Sequence, residues 1–171
     1  MDFFKAVEER HSYRGPMESA PIPEDDLIKI VDAGIRAPSG CNGQTTSFII
    51  VTNADTRGEI AKIFNNEALS SAPAIIVMYT KKHTFDFGLD FELEDYAAAV
   101  QNILLAATAM GYGSLWLDGQ TRLDGNDAAL SKLLGIAQDL QVRTVIPIGV
   151  AKNPGKQAPR KAFNERATWI K

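Results

Sequence analysis

Apolar residues recur along this chain with two periods, and the changes between them mark out its elements. Phe3, Phe4, Ala6 and Val7 follow Asp2, whose carboxylate can accept from the free N–H groups of a first helical turn. They predict a short N-terminal helix that exits into a loop at Gly15–Pro16. A second helix begins after Pro23. Glu24, Asp25 and Asp26 suit its positive end, Leu27, Ile30, Val31 and Gly34 recur at helical spacing, and it stops at Pro38. Ser47–Thr52 and Pro73–Tyr79 are β-branched, nearly continuous apolar runs and predict buried strands, with an amphipathic helix over Asp55–Phe64 between them. Lys81–Glu94 mixes Phe85, Phe87 and Phe91 with acids and predicts a loop or irregular helix. Asp95–Met110 is alanine-rich and apolar on most faces, the pattern of a central helix ended by Gly111-Tyr112-Gly113. Ser114–Leu117 predicts a third strand, Asp127–Leu134 a short helix closed by Gly135, and Val142–Val150 the last core strand. Pro147 places an edge or a bulge in that strand. The irregular alternation of helices and strands favours an α+β fold over a doubly wound sheet.

The 171 residues suffice for one compact domain with a real core, and no repeat, low-complexity tract or interdomain linker interrupts them. A net charge of −3 argues against nucleic acid or an anionic membrane as the main partner. Cys41 is the only cysteine, so an intrachain disulfide and a multi-cysteine zinc site are both excluded, and a reducing cytoplasm is the simplest setting. Met1–Lys5 lacks the basic-then-apolar pattern of a signal peptide, and the apolar stretches fall short of a membrane span.

Two short segments concentrate the polar chemistry. Arg10-His11-Ser12-Tyr13-Arg14 packs two guanidiniums, an imidazole and a hydroxyl into five residues at the end of the first helix. Arg offers a planar fork of donors that matches phosphate oxygens, and Ser adds a short donor. Taken alone, the run also reads as a solvated basic helix end. Pro38-Ser39-Gly40-Cys41-Asn42-Gly43-Gln44 is a glycine-broken loop held against a strand. Its residues suit a plain turn, yet Asn42 and Gln44 can each donate and accept, as the polar edge of a flavin pyrimidine requires. The glycines of Gly111–Gly119 follow a helix and precede a strand, the reverse of the dinucleotide-binding order. Asp86, Asp90, Glu92, Glu94 and Asp95 form an acidic run that reads as a solvated face or helix start. His11 and His83 have no carboxylates at metal-ligand spacing, so no metal is expected. No nucleophile-elbow context supports a hydrolase triad.

With these residues in view, the chain resembles the FMN-dependent nitroreductase family, as a small member, nearly end to end. Arg10–Arg14 resembles the family's N-terminal basic-Ser-basic signature, and Pro38–Gln44 its second signature. Asp95–Asn102, with Ala98, Gln101 and Asn102, is similar to its central helix, and Gly113–Leu117 to the strand under the flavin. Ile148-Gly149-Val150 followed by Pro159-Arg160-Lys161 resembles its C-terminal signature. The resemblance implies a three-layer α+β sandwich around a mixed sheet, one domain over residues 1–171, and an intertwined homodimer with FMN at its interface. A tail from about residue 151 would extend over the partner subunit. By position, Arg10, Ser12 and Arg160 would hold the phosphate. Arg14 would lie by the flavin N1–O2 edge or the ribityl chain, with His11 beside it. Pro38, Ser39, Gly40, Asn42 and Gln44 would reach the flavin of the partner, and Leu117 and Gly119 would present backbone to the ring. Hydride addition leaves negative charge at the N1–C2=O edge, which Arg14 would stabilise. No protein side chain is needed as nucleophile or general acid.

The implied activity is transfer of electrons from NADH or NADPH through FMN to a small conjugated acceptor, a nitroaromatic or quinone, by a ping-pong scheme. Three departures stand beside it. Thr45-Thr46 replaces the family's usual Pro-aromatic pair, Ala158 stands where a basic residue is common, and the 81–94 segment is short where longer members build a lid. These motivate an alternative, a flavin-binding carrier or sensor without turnover. A third possibility is a scaffold whose flavin site has decayed.

Overall fold

The computed structural model describes residues 1–171. Helices α1 (Phe3–Glu9), α2 (Glu24–Ile35), α3 (Ala54–Phe64), α4 (Glu67–Ser71), α5 (Glu92–Ala109), α6 (Asn126–Leu134) and α7 (Phe163–Arg166) surround strands β1 (Thr46–Val51), β2 (Ala74–Lys81), β3 (Gly113–Ser114) and β4 (Leu140–Gly149). The four strands form one sheet in the order β1-β2-β4-β3, and every strand pair is antiparallel. A parallel element enters only at the bridge between Ser12 and Ser114.

Strand alternation divides the core into two layers. Ala74, Ile76 and Met78 of β2 and Ile146 and Ile148 of β4 face α2 and α5. Ile75 and Val77, with Val142 and Val145, face α3, α4 and α6. The result is the expected three-layer α+β sandwich. Fully buried Ile60, Ile75, Ile76, Ile103, Ile146 and Ile148 each contribute about 1.5–3 kcal/mol by leaving water. Helix α5 is central, as its alanine-rich pattern predicts, with α2 and α1 packed along it. Asp2 accepts from the Lys5 N–H at 3.1 Å to start α1, and Asn53 and Asn66 cap α3 and α4 in the same way.

Several elements differ from their sequence signals. β1 is an edge strand, half-buried for most of its length, rather than a fully buried one. The predicted third strand shrinks to Gly113–Ser114, after which Leu117 rejoins β4 in an isolated bridge with Val145. Pro147 explains the gap, and it lies neither at an edge nor at a bulge. The Val145 N–H points to Leu117 O, so Pro147, two residues on, turns its missing donor to the same side, opposite Leu115. The bulge falls instead between Met78 and Tyr79, where Arg143 is left unpaired on β4.

Candidate functional site

The first helix ends one residue into the basic run. The Arg10 N–H donates to Ala6 O at 2.9 Å, and a ψ of 123° turns the chain out of the helix. Arg10 and Arg14 therefore do not share a helical face. The following residues run beside the sheet: Ser12 bridges Ser114, and the Tyr13 N–H donates to Ser114 O at 2.9 Å. Tyr13 is buried and fastens two further segments. Its hydroxyl donates to Pro16 O at 2.7 Å and accepts from the Asn153 N–H at 3.2 Å.

Those bonds fix the start of the tail. Met17 and Ala151 form an antiparallel bridge, and the Gln157 amide donates to Val7 O (3.1 Å) and Arg10 O (2.8 Å), capping free carbonyls at the end of α1. The tail thus brings Arg160 near enough to Arg10 for its charge to be felt there. The Arg10 guanidinium is held below its ordinary pKa, first by burial and then by the Arg160 charge. Neither cation takes part in any of the seven ion pairs of the chain. The His11 Nδ1 lies 2.9 Å from Glu9 O, while its Nε2 is buried without a partner and its ring lies against Gly155. Arg14 is exposed and donates from Nη1 to Ser12 O at 3.3 Å.

The second polar segment is a contorted loop. Ser39 precedes a single 3-10 turn, Gly40–Asn42, and Cys41, Asn42 and Gln44 all have positive φ, between 48° and 56°. Such conformations are uncommon outside glycine. Pro38, Cys41, Asn42 and Gln44 are exposed. The loop is tied from behind. Asp95 accepts from the Gly40 N–H at 2.8 Å and from the Thr45 hydroxyl at 2.7 Å, and Ser39 Oγ accepts from the Gln44 N–H at 3.1 Å. Phe91 packs where a Gly40 side chain would stand, and Phe85 approaches Gly43. Thr45 is thus a buried anchor, not a wall of the site, which gives its departure from the usual Pro a structural role.

Leu117 is buried, its carbonyl accepting from the Thr121 hydroxyl at 2.7 Å. Gly119 starts the 3-10 turn Gly119–Arg122, and a Cβ there would meet open space. No packing within the chain demands glycine at this position.

Within one chain Arg160 comes near Arg10, which His11, Ser12 and Arg14 follow directly in sequence, but the loop Pro38–Gln44 lies elsewhere. His11 and Gly155 lie by Thr108 near the end of α5, whereas the loop hangs on Asp95 in its first turns. From Asp95 to Thr108 the helix rises about 20 Å. The acidic run is only partly solvated. Asp86, Asp90 and Glu94 are exposed, but Asp95 is 4% exposed and Glu92, also buried, meets Arg143 at 3.3 Å. The sequence gives no role to Tyr13, Gly155 or Gln157, and reads Asp95 only as a solvated acid or the start of the central helix. For Asp95 a signal existed: it shares an i, i+4, i+8 stripe with Ala99 and Ile103, both buried.

The sequence matches the family model "Nitroreductase family" over residues 7–73 and 61–150. A relative from Archaeoglobus fulgidus, provisionally named NADH dehydrogenase/NAD(P)H nitroreductase, is 34% identical over 133 residues, 77% of this chain and 76% of the relative. Among solved structures, a nitroreductase family protein from Clostridium novyi NT superposes with a TM-score of 0.78 at 30% identity, covering 90% of this chain and 87% of that one. An FMN-dependent nitroreductase from Clostridium difficile R20291 superposes with a TM-score of 0.84 at 23% identity, covering 98% and 99%.

Proposed function

Because the chain belongs to the nitroreductase family, we propose that it is an FMN-dependent oxidoreductase. It takes electrons from NADH or NADPH and passes them to a small conjugated acceptor, a nitroaromatic or quinone, in two half-reactions that share one face of the cofactor. The observation that supports this most directly is that Arg160 comes near enough to Arg10 for its charge to lower the Arg10 pKa, while neither guanidinium is paired with a carboxylate. Two neighbouring like charges, Arg10 half-buried and Arg160 exposed, favour an anion, and a phosphate could accept from both guanidinium forks. Tyr13 and Gln157 maintain the tail path that delivers Arg160.

Bound FMN would supply the two-electron relay between donor and acceptor. The chain's own part is to bind and orient. Arg10, Ser12 and Arg160 would hold the phosphate, with His11 beside them in the chain. Arg14 would place a cation by the pyrimidine edge, favouring the more electron-rich form of the ring. Pro38, Ser39, Gly40, Asn42 and Gln44 would offer amides, hydroxyl and backbone to the same edge, and Gly119 backbone to the ring; Leu117, whose N–H and C=O are both bonded within the chain, would offer only van der Waals contact.

The separation along α5 supports a shared site, in which the loop of one subunit serves the basic cluster of its partner in a homodimer. The tail supports it too. Phe163, Trp169 and Ile170 are 64%, 74% and 97% exposed in the single chain, an apolar surface that a partner subunit would cover. We place the protein in the cytoplasm, where its single exposed thiol, Cys41, stays reduced. No helix is long and apolar enough to cross a membrane.

The test is reconstitution with FMN followed by anaerobic mixing with NADH or NADPH, then reoxidation by a nitroaromatic or a quinone in a second mixing step. Flavin that binds but is reduced by neither nucleotide makes the protein a carrier or sensor instead.

A further inference from the structure

We infer that Asp95, acting with Thr45, is a positioning residue that sets the shape of the 38–44 loop, and so its presentation of Asn42 and Gln44 to the flavin. The inference rests on the functional reading above for the identity of the ligand, but not for the device itself.

Three of the five non-glycine residues with positive φ in the whole chain, Cys41, Asn42 and Gln44, fall within this one loop. Such a backbone persists only where its surroundings over-determine it. The two ends of the contorted stretch are bracketed by one carboxylate. Its Oδ1 accepts from the Gly40 N–H at 2.8 Å and its Oδ2 from the Thr45 hydroxyl at 2.7 Å. Both are charge-assisted bonds made by a buried group, where such bonds are stronger than at the surface. Thr45 is anchored again through its own carbonyl, which accepts from the Lys81 N–H at 3.0 Å.

Phe91 and Phe85 close the back of the loop against Gly40 and Gly43, so it cannot relax toward α5. Cys41, Asn42 and Gln44 are left exposed, while Asp95 is buried behind the loop. Asp95 therefore acts through the loop rather than on any ligand. The pairing also explains why threonine serves at position 45: a proline there has no hydroxyl to offer the carboxylate.

The test uses Thr45→Val, which keeps the shape of the side chain and deletes the hydroxyl, with Thr45→Ser as the variant that restores it. Asp95→Asn serves as a second perturbation of the same hook. Two readouts are taken. FMN dissociation constants and bound-flavin absorption spectra come from titration of the full chain. Hydrogen exchange of the 38–45 segment is followed by mass spectrometry on the FMN-free protein.

Thr45→Val should raise the FMN dissociation constant about tenfold, the effect of one lost charge-assisted bond. It should also shift the bound-flavin spectrum toward that of free FMN and accelerate loop exchange about tenfold. Thr45→Ser should match the wild type in all three. Equal behaviour of Thr45→Val and wild type overturns the inference, as does a Thr45→Ser variant as impaired as Thr45→Val. A wild-type protein that takes up no FMN overturns the functional reading. In that case the exchange rates alone still decide whether the hook holds the loop.

Discussion

Gly155→Ala should weaken FMN binding although residue 155 offers no side chain to any ligand. The position has no positive φ, so backbone freedom does not require glycine there. The requirement is steric. A Cβ would stand 2.8 Å from Cδ2 and 3.0 Å from Cε1 of His11, and closer still to Nε2. The ring has little room to yield, because its Nδ1 is engaged by Glu9 O at 2.9 Å and its Nε2 is already buried. Overpacking of this kind costs about 1–3 kcal/mol. In the free protein the tail relieves it by lifting away, so the cost falls on the FMN complex, for which Arg160 must return to Arg10. That corresponds to about a 5- to 150-fold rise in the dissociation constant, read by titrating FMN and following its fluorescence. The reasoning also predicts a coupling. In a His11→Ala background the space for a methyl exists, so adding Gly155→Ala should cost almost nothing, leaving an interaction energy of about 1–3 kcal/mol in the double-mutant cycle. Wild-type affinity in Gly155→Ala, or the same loss with and without the His11 ring, would refute the account.

Arg160→Gln should leave the FMN-free protein as stable as wild type or slightly more so, since it removes the charge that depresses Arg10, yet weaken FMN by about 1.5–3 kcal/mol. Thermal melts with and without FMN check this reversal of sign. Arg14→Ala should lower the midpoint potential of fully loaded protein in an anaerobic titration, and an unchanged potential would reduce Arg14 to a surface charge. Gly34→Ala should destabilise the fold by up to about 2 kcal/mol in urea melts. The new Cβ would lie 2.8 Å from the buried Ile103 Cγ1, a strain of about 1–3 kcal/mol that outweighs the roughly 1 kcal/mol gained in helix propensity. Truncation before Gly155 should lower both dimer content, by light scattering, and FMN affinity; a truncated chain that stays dimeric and FMN-loaded would contradict the shared site.

The sandwich was legible because its elements obey local rules. Asp2 starts α1, acids open α2, Gly135 closes α6 with a φ of 67°, and the Ile-Val runs of β2 and β4 are as buried as they read. What misled were features that depend on neighbours. β1 has the composition of a buried strand but lies at the sheet edge, a fact of topology. Pro147 is tolerated inside the sheet because its missing donor faces the interrupted β3 ladder. In the proposed site, residue types suited to an anion could be read off the sequence at Arg10, Ser12 and Arg160. The groups that put them in place could not. Tyr13, Gly155 and Gln157 act on residues about 140 positions away in the chain, a pairing that only the folded tail creates. Asp95 was hidden among solvated acids, although its helical stripe is the buried one.

The most direct test of the central claim is anaerobic titration of the FMN-reconstituted protein with NADH and with NADPH, followed by the visible absorption of the flavin. The account predicts that FMN is retained and that at least one of the two nucleotides bleaches it stoichiometrically. A protein that retains no FMN after reconstitution, or one whose bound FMN neither nucleotide bleaches, would contradict it.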